Sequence, residues 1–145
     1  SEGEVCRREL LRLVDEDTRA FDRILAAMQM PKGSSEEQQT RSAAITEATK
    51  GAILVPLETM RICVRSLDLL KAMSEKGLPA SVSDAGVGAL CARTGALGAY
   101  LNVRINCAGL DAPDFIAEVT READLLRARA EEVGDAVFGT VLGKV

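Results

Sequence analysis

The sequence predicts an all-α fold, an antiparallel bundle of about four long helices with one kinked at Pro56. Three observations predict it. Apolar residues recur at steps of three and four along four long segments, and no segment alternates as a half-buried strand does. Helix-start and helix-stop signals bound those segments. Aromatic residues are only 3% of the chain (three Phe, one Tyr, no Trp), too few for a β-sandwich core.

The first helix is expected over 4–29, where Leu10, Val14, Phe21, Ile24 and Met28 form an apolar stripe. Met30-Pro31-Lys32-Gly33-Ser34 breaks it. Ser35 with Gln38 reads as a capping box that opens a second helix, running to about residue 76. Pro56 lies inside that helix and removes one ladder bond, which predicts two segments, 36–54 and 57–76. Lys76-Gly77-Leu78-Pro79 is a stop signal. Ser81 or Ser83 caps a third helix that reaches about residue 107 and ends at Gly109. Asp111-Ala112-Pro113-Asp114 opens the last helix, 112–141, with Asp111 as the capping carboxylate.

At 145 residues the chain is expected to form a single domain, 1–145. It is 47% apolar and 28% charged, with net charge −4. No run of about 18 apolar residues is present, so no membrane span is expected. The acidic balance and the near absence of stacking side chains argue against nucleic acid as a partner. Histidine is absent. Ser-His and Cys-His pairs are therefore excluded, and acid–base work falls to Asp, Glu, Lys, Tyr or Cys. No metal site is expected and no cofactor is called for. Cys6, Cys63, Cys91 and Cys107 form no C-x-x-C pair and read as reduced, mostly buried thiols. With no basic-then-apolar leader in view, the expected location is cytoplasmic.

The third helix carries a stripe of small residues, Ala85, Ala89, Ala92, Ala96 and Ala99, flanked by Gly88 and Gly95. Each Gly costs a helix about 1 kcal/mol, so something must offset it. A tight helix crossing does so, and so does room for a flat ligand. At about 100° per residue, Asp84, Gly88, Gly95, Asn102 and Asn106 share one sector. Asp84 and Asn102 are 18 residues apart, about 27 Å along the axis. They belong to separate sub-sites unless a second subunit brings unlike ends together. Asp84 has a bland reading as a charge complementing the helix dipole, and the two Asn as buried amides with interhelical partners. Asp17 interrupts the apolar stripe of the first helix. Either it is a desolvated carboxylate suited to proton transfer, or it pairs with Arg41 or Arg61. Lys32 is an ordinary exposed lysine or a fixed cation at the mouth of a site.

Taken in order, Leu13-Val14-Asp15-Glu16-Asp17 with Ala20-Phe21, Met30-Pro31-Lys32, Arg41, Val55-Pro56-Leu57, Ser83-Asp84, and Gly98-Ala99-Tyr100-Leu101-Asn102-Val103 with Ile105-Asn106 resemble the formiminotransferase-cyclodeaminase-like family. The similarity runs from about residue 5 to about residue 135. The resemblance implies a helical, dimeric enzyme acting on one-carbon units carried by tetrahydrofolate. It implies Asp17 and Asp84 as catalytic carboxylates. Lys32 and Arg41 would bind the glutamate tail, and Asn102 and Asn106 the ring edge. It also implies a Gly-rich helix ahead of this region, which the residues from Ser1-Glu2-Gly3 onward do not contain. The first expectation is hydrolysis of methenyltetrahydrofolate, because no formiminotransferase sequence is present. Formiminotetrahydrofolate cyclodeaminase activity and a non-catalytic dimerisation module are the alternatives.

Overall fold

The computed structural model describes residues 1–145. Four helices account for nearly all of it: α1 (Glu2–Met28), α2 (Ser35–Lys76), α3 (Val82–Cys107) and α4 (Pro113–Leu142), with a short 3-10 turn at Pro79–Ser81. The all-α bundle is as the periodicity predicts. No helix is long and apolar enough to cross a membrane.

Several boundaries differ from expectation. The capping box that opens α2 is Ser34 with Glu37, one residue earlier than Ser35 with Gln38. Glu37 N donates to Ser34 Oγ at 3.1 Å, and Ser34 N donates to Glu37 Oε2 at 3.0 Å. A carboxylate accepts from two amides at once, and Gly33 N also reaches it at 2.8 Å. Gln38 instead donates through Nε2 to Lys32 O at 3.1 Å. Pro56 does not divide α2, which is one helix with a single ladder bond missing. The cap of α4 is Ala112, not Asp111, and no side chain caps it. Pro113 follows at the position where a missing N–H costs nothing. Gly109 takes φ of +85°, the left-handed turn that ends the α3 segment.

The core runs along α2. Leu67 packs with Ala89 and Ala96 of α3 and with Ala130, Val133 and Val137 of α4. Ile53, Leu57 and Met60 pack with Val103, Val119 and Ala123. The alanine stripe of α3 is largely buried, as predicted, and the glycines beside it fit a close crossing. A Cβ on Gly88 would lie 2.9 Å from Leu70 Cδ2, and one on Gly95 would lie 3.0 Å from Cys63 Sγ.

The first helix departs most from its predicted stripe. Its buried residues are Cys6, Leu13, Ala20 and Ala27, spaced by seven, while Val14 is 64% and Phe21 58% exposed. The reason lies in the topology: α1 packs on α2 alone, and none of its Cα atoms comes within 8 Å of α3 or α4. A helix with one neighbour buries a narrow seam, not a broad face. Cys6, Leu13 and Ile62 make that seam.

Cys6, Cys63 and Cys107 are buried and Cys91 is exposed. Burial pushes the Cys63 thiol up to about 11. A thiol reagent at neutral pH is therefore expected to modify Cys91 first, and Cys91→Ser should abolish that fast phase, leaving thiols that react only on unfolding.

Between α2 and α4, Arg61 donates to both carboxylate oxygens of Glu122, at 2.6 and 2.8 Å, and to Glu58 at 2.8 Å. The Arg61 guanidinium holds the Glu122 carboxyl below its usual 4.5. A depressed folded-state value favours the ionised carboxylate in the folded chain. Its stabilisation is present above the unfolded value and is lost as pH falls through the folded one. In thermal melts, the gap between wild type and Glu122→Gln should be constant near neutrality and close below pH 4.5.

Candidate functional site

Because α1 leans on α2 without reaching α3, a groove stays open between α1 and α3, with α2 as its floor. One end is polar. A cavity of about 200 Å³ there is lined by Asp17, Phe21, Ile24, Ala52, Asn102 and Asn106. The next section, about 480 Å³, shares Asp17 and Asn102 and continues past Thr18, Thr59, Gly95 and Gly98. The far end is apolar, about 580 Å³, and passes Leu10, Leu70, Gly88 and Cys91. The glycines thus serve two ends: they let α2 approach on one side and keep the groove wide on the other. The two larger sections fall in the range of small-molecule sites, roughly 300–1,000 Å³, and the polar end is a smaller recess off them.

Three predicted site residues meet here. Asp17, from the middle of α1, faces Asn102 and Asn106 from the last two turns of α3. Asp17 is exposed and makes no ion pair, so it is neither desolvated nor paired with Arg41 or Arg61 as expected. The cations proposed as its partners are committed elsewhere. Arg41 Nε donates to Met28 O at 3.1 Å, and Arg61 is taken by Glu58 and Glu122. Asp17 is left as an accessible acceptor at the rim of the cavity. Asn102 is also exposed, not a buried amide, whereas Asn106 is half-buried and donates through Nδ2 to Ala52 O at 3.2 Å.

The remaining candidates lie apart. Arg41 lines a neighbouring cavity of about 340 Å³ with Thr46, Thr49, Gly109 and Asp111, beside the polar end of the groove. Its Nε bond ties α2 to the end of α1 and leaves the rest of the guanidinium available. Lys32 is exposed in the loop between α1 and α2, where its carbonyl accepts from Gln38. Asp84 is in the exposed first turn of α3, at the opposite end from Asn102. There it complements the helix dipole. Tyr100, the one phenol, donates to Asp124 Oδ1 at 2.8 Å and faces α4. No three His, Cys, Asp or Glu side chains converge as metal ligands.

Sequence reasoning missed the hydroxyl row Ser42, Thr46 and Thr49 beside Arg41. Its spacing of four and three was a legible signal of one helix face. It also assigned Phe21 and Ile24 to the core, whereas they wall the cavity.

The fold is thus all-α, and its groove offers a carboxylate and two amides with no imidazole. The formiminotransferase-cyclodeaminase family matches residues 1–125, and the chain belongs to that family. Methenyltetrahydrofolate cyclohydrolase from Methylorubrum extorquens is 40% identical over 145 residues, covering 100% of this chain and 69% of that protein. Formimidoyltransferase-cyclodeaminase from Sus scrofa is 35% identical over 123 residues, 85% of this chain but 23% of that protein. The chain therefore spans about two thirds of the first relative and under a quarter of the second. The crystal structure of formiminotetrahydrofolate cyclodeaminase from Thermotoga maritima shares the fold, with TM-score 0.83 and 23% identity over 97% of this chain and 66% of that one.

Since Asp17 is exposed and unpaired, Asp17→Asn is expected to change unfolding free energy by less than about 0.5 kcal/mol. Urea titration checks this, and a larger loss would show a structural partner.

Proposed function

We propose that this chain hydrolyses methenyltetrahydrofolate to formyltetrahydrofolate. The observation that carries the reading is the 40% identity, over 145 residues, to 69% of a methenyltetrahydrofolate cyclohydrolase. The groove supplies chemistry that fits. The substrate's bridging carbon is cationic, shared between two ring nitrogens. Water adds to that carbon and loses one proton, the adduct's hydroxyl proton passes to one ring nitrogen, and the bond from carbon to that nitrogen breaks to leave the formyl group on the other. A carboxylate can stabilise the cation and accept the proton from water, and Asp17, an accessible acceptor lining the cavity, would take both roles. Asn102 and Asn106 would read the polar ring edge. Arg41, with Lys32 near the loop, would hold the carboxylates of the tail.

A second reading has its own support, because the other relatives found are formimidoyltransferase-cyclodeaminases. In that reaction a folate nitrogen attacks the formimino carbon and ammonia leaves. The same anion and amides serve it.

The proposal includes a homodimer. Leu11, Phe21 and Met28 of α1 and Val87, Leu101 and Ile105 of α3 remain exposed, and a second copy would cover them. Asp84 enters the chemistry only through a second copy, since it lies at the end of α3 opposite Asn102 and Asn106. A cytoplasmic setting fits the four free cysteines.

Spectrophotometry with each folate decides between the reactions. Loss of the methenyl chromophore without ammonia release from the formimino substrate is expected; the reverse supports the cyclodeaminase. Turnover of neither, with no calorimetric binding, would leave only a dimerisation module. Asp17→Asn is expected to lower kcat by about 100-fold, the usual scale of a positioned base.

A further inference from the structure

Pro56 has no N–H, so the carbonyl four residues earlier in α2 loses its ladder donor. That carbonyl belongs to Ala52, which is only 7% exposed. A buried carbonyl without a donor is costly. The missing donor comes from α3: Asn106 Nδ2 donates to Ala52 O at 3.2 Å. Asn106 makes no other side-chain hydrogen bond within the chain, and it lines the same cavity as Asp17 and Asn102.

A primary amide has two unlike ends. When an oxygen that can only accept takes Nδ2, the amide can sit only one way round. Oδ1 then remains free. We propose that Pro56, Ala52 and Asn106 form an orientation lock, in which the proline's missing N–H fixes the Asn106 amide so that its Oδ1 meets the ligand as an acceptor. The cavity then presents an acceptor on its α3 wall, the Oδ1 of Asn106. It selects a ring edge that offers N–H donors. Resting on the folate reading above, that edge is the amino-pyrimidinone side of the pteridine. The proline is then a specificity device, and Asn106 is the residue through which it acts.

Four versions of the full chain test this: wild type, Asn106→Ala, Pro56→Ala and the double variant. Each is melted, and each is assayed for KM and kcat with methenyltetrahydrofolate. Asn106→Ala is expected to lower Tm by about 3 °C. It should raise KM about tenfold, the scale of one lost hydrogen bond, with kcat changed less than twofold. In the Pro56→Ala background, residue 56 can supply the N–H itself. Removing Asn106 there should cost little Tm, yet KM should stay raised. Recovery of KM along with Tm in the double variant would make Asn106 a patch on α2 and overturn the proposal. An equal Tm loss in both backgrounds would show that the proline and the amide are not linked, and would overturn it as well. Absence of folate binding by the wild type overturns the folate reading and the acceptor role with it, while the Tm coupling in the same four proteins still reads the lock.

Discussion

The close approach of α3 to α2 is the constraint on which the rest of the molecule depends. Alanines and glycines along α3 let the two helices come together until a single added methyl would press on Leu70 or Cys63. That contact sets where α4 must lie, because Leu67 and Met60 of α2 and Ala96 and Val103 of α3 present one continuous apolar surface to it. It also sets what α1 meets. With α3 seated so tightly, α1 finds only the outer side of α2, and the space left over becomes the groove.

Function and stability are thereby separated in space. The buried clusters between α2, α3 and α4 contain no ionised side chain, and the one buried polar residue is Ser74. The ion pairs that join α2 to α4, Arg61 with Glu122 and Arg129 with Asp68, lie on the outer surface. Asp17, Asn102 and Asn106 lie on the other side, where α1 contributes little to the core. Asp17 and Asn102 stand clear of the packing that holds the bundle, whereas Asn106 joins the two by satisfying the buried Ala52 carbonyl of α2.

Much of the fold was legible in the sequence. Four periodic segments, their stop signals and the alanine stripe of α3 each reported a local cause with a local effect. The buried face of α1 was not legible, because its width depends on how many helices touch it. Leu10, Val14 and Phe21 look like a core stripe until the missing neighbour is known. The capping box failed by one residue because Ser34-Glu37 and Ser35-Gln38 satisfy the same pattern, and only the charge on Glu37 separates them. Of the site, the grouping of Asn102 with Asn106 followed from helix geometry. That Asp17 would meet them, and that Asp84 would not, required knowing which ends of antiparallel helices are adjacent.

The single seam beneath α1 has an energetic consequence. Held by Cys6, Leu13, Ala20 and Ala27 against one partner, this helix forms the least cooperative part of the molecule. One wall of the groove is thus built from the helix with the fewest neighbours, the part of the bundle for which local opening costs least.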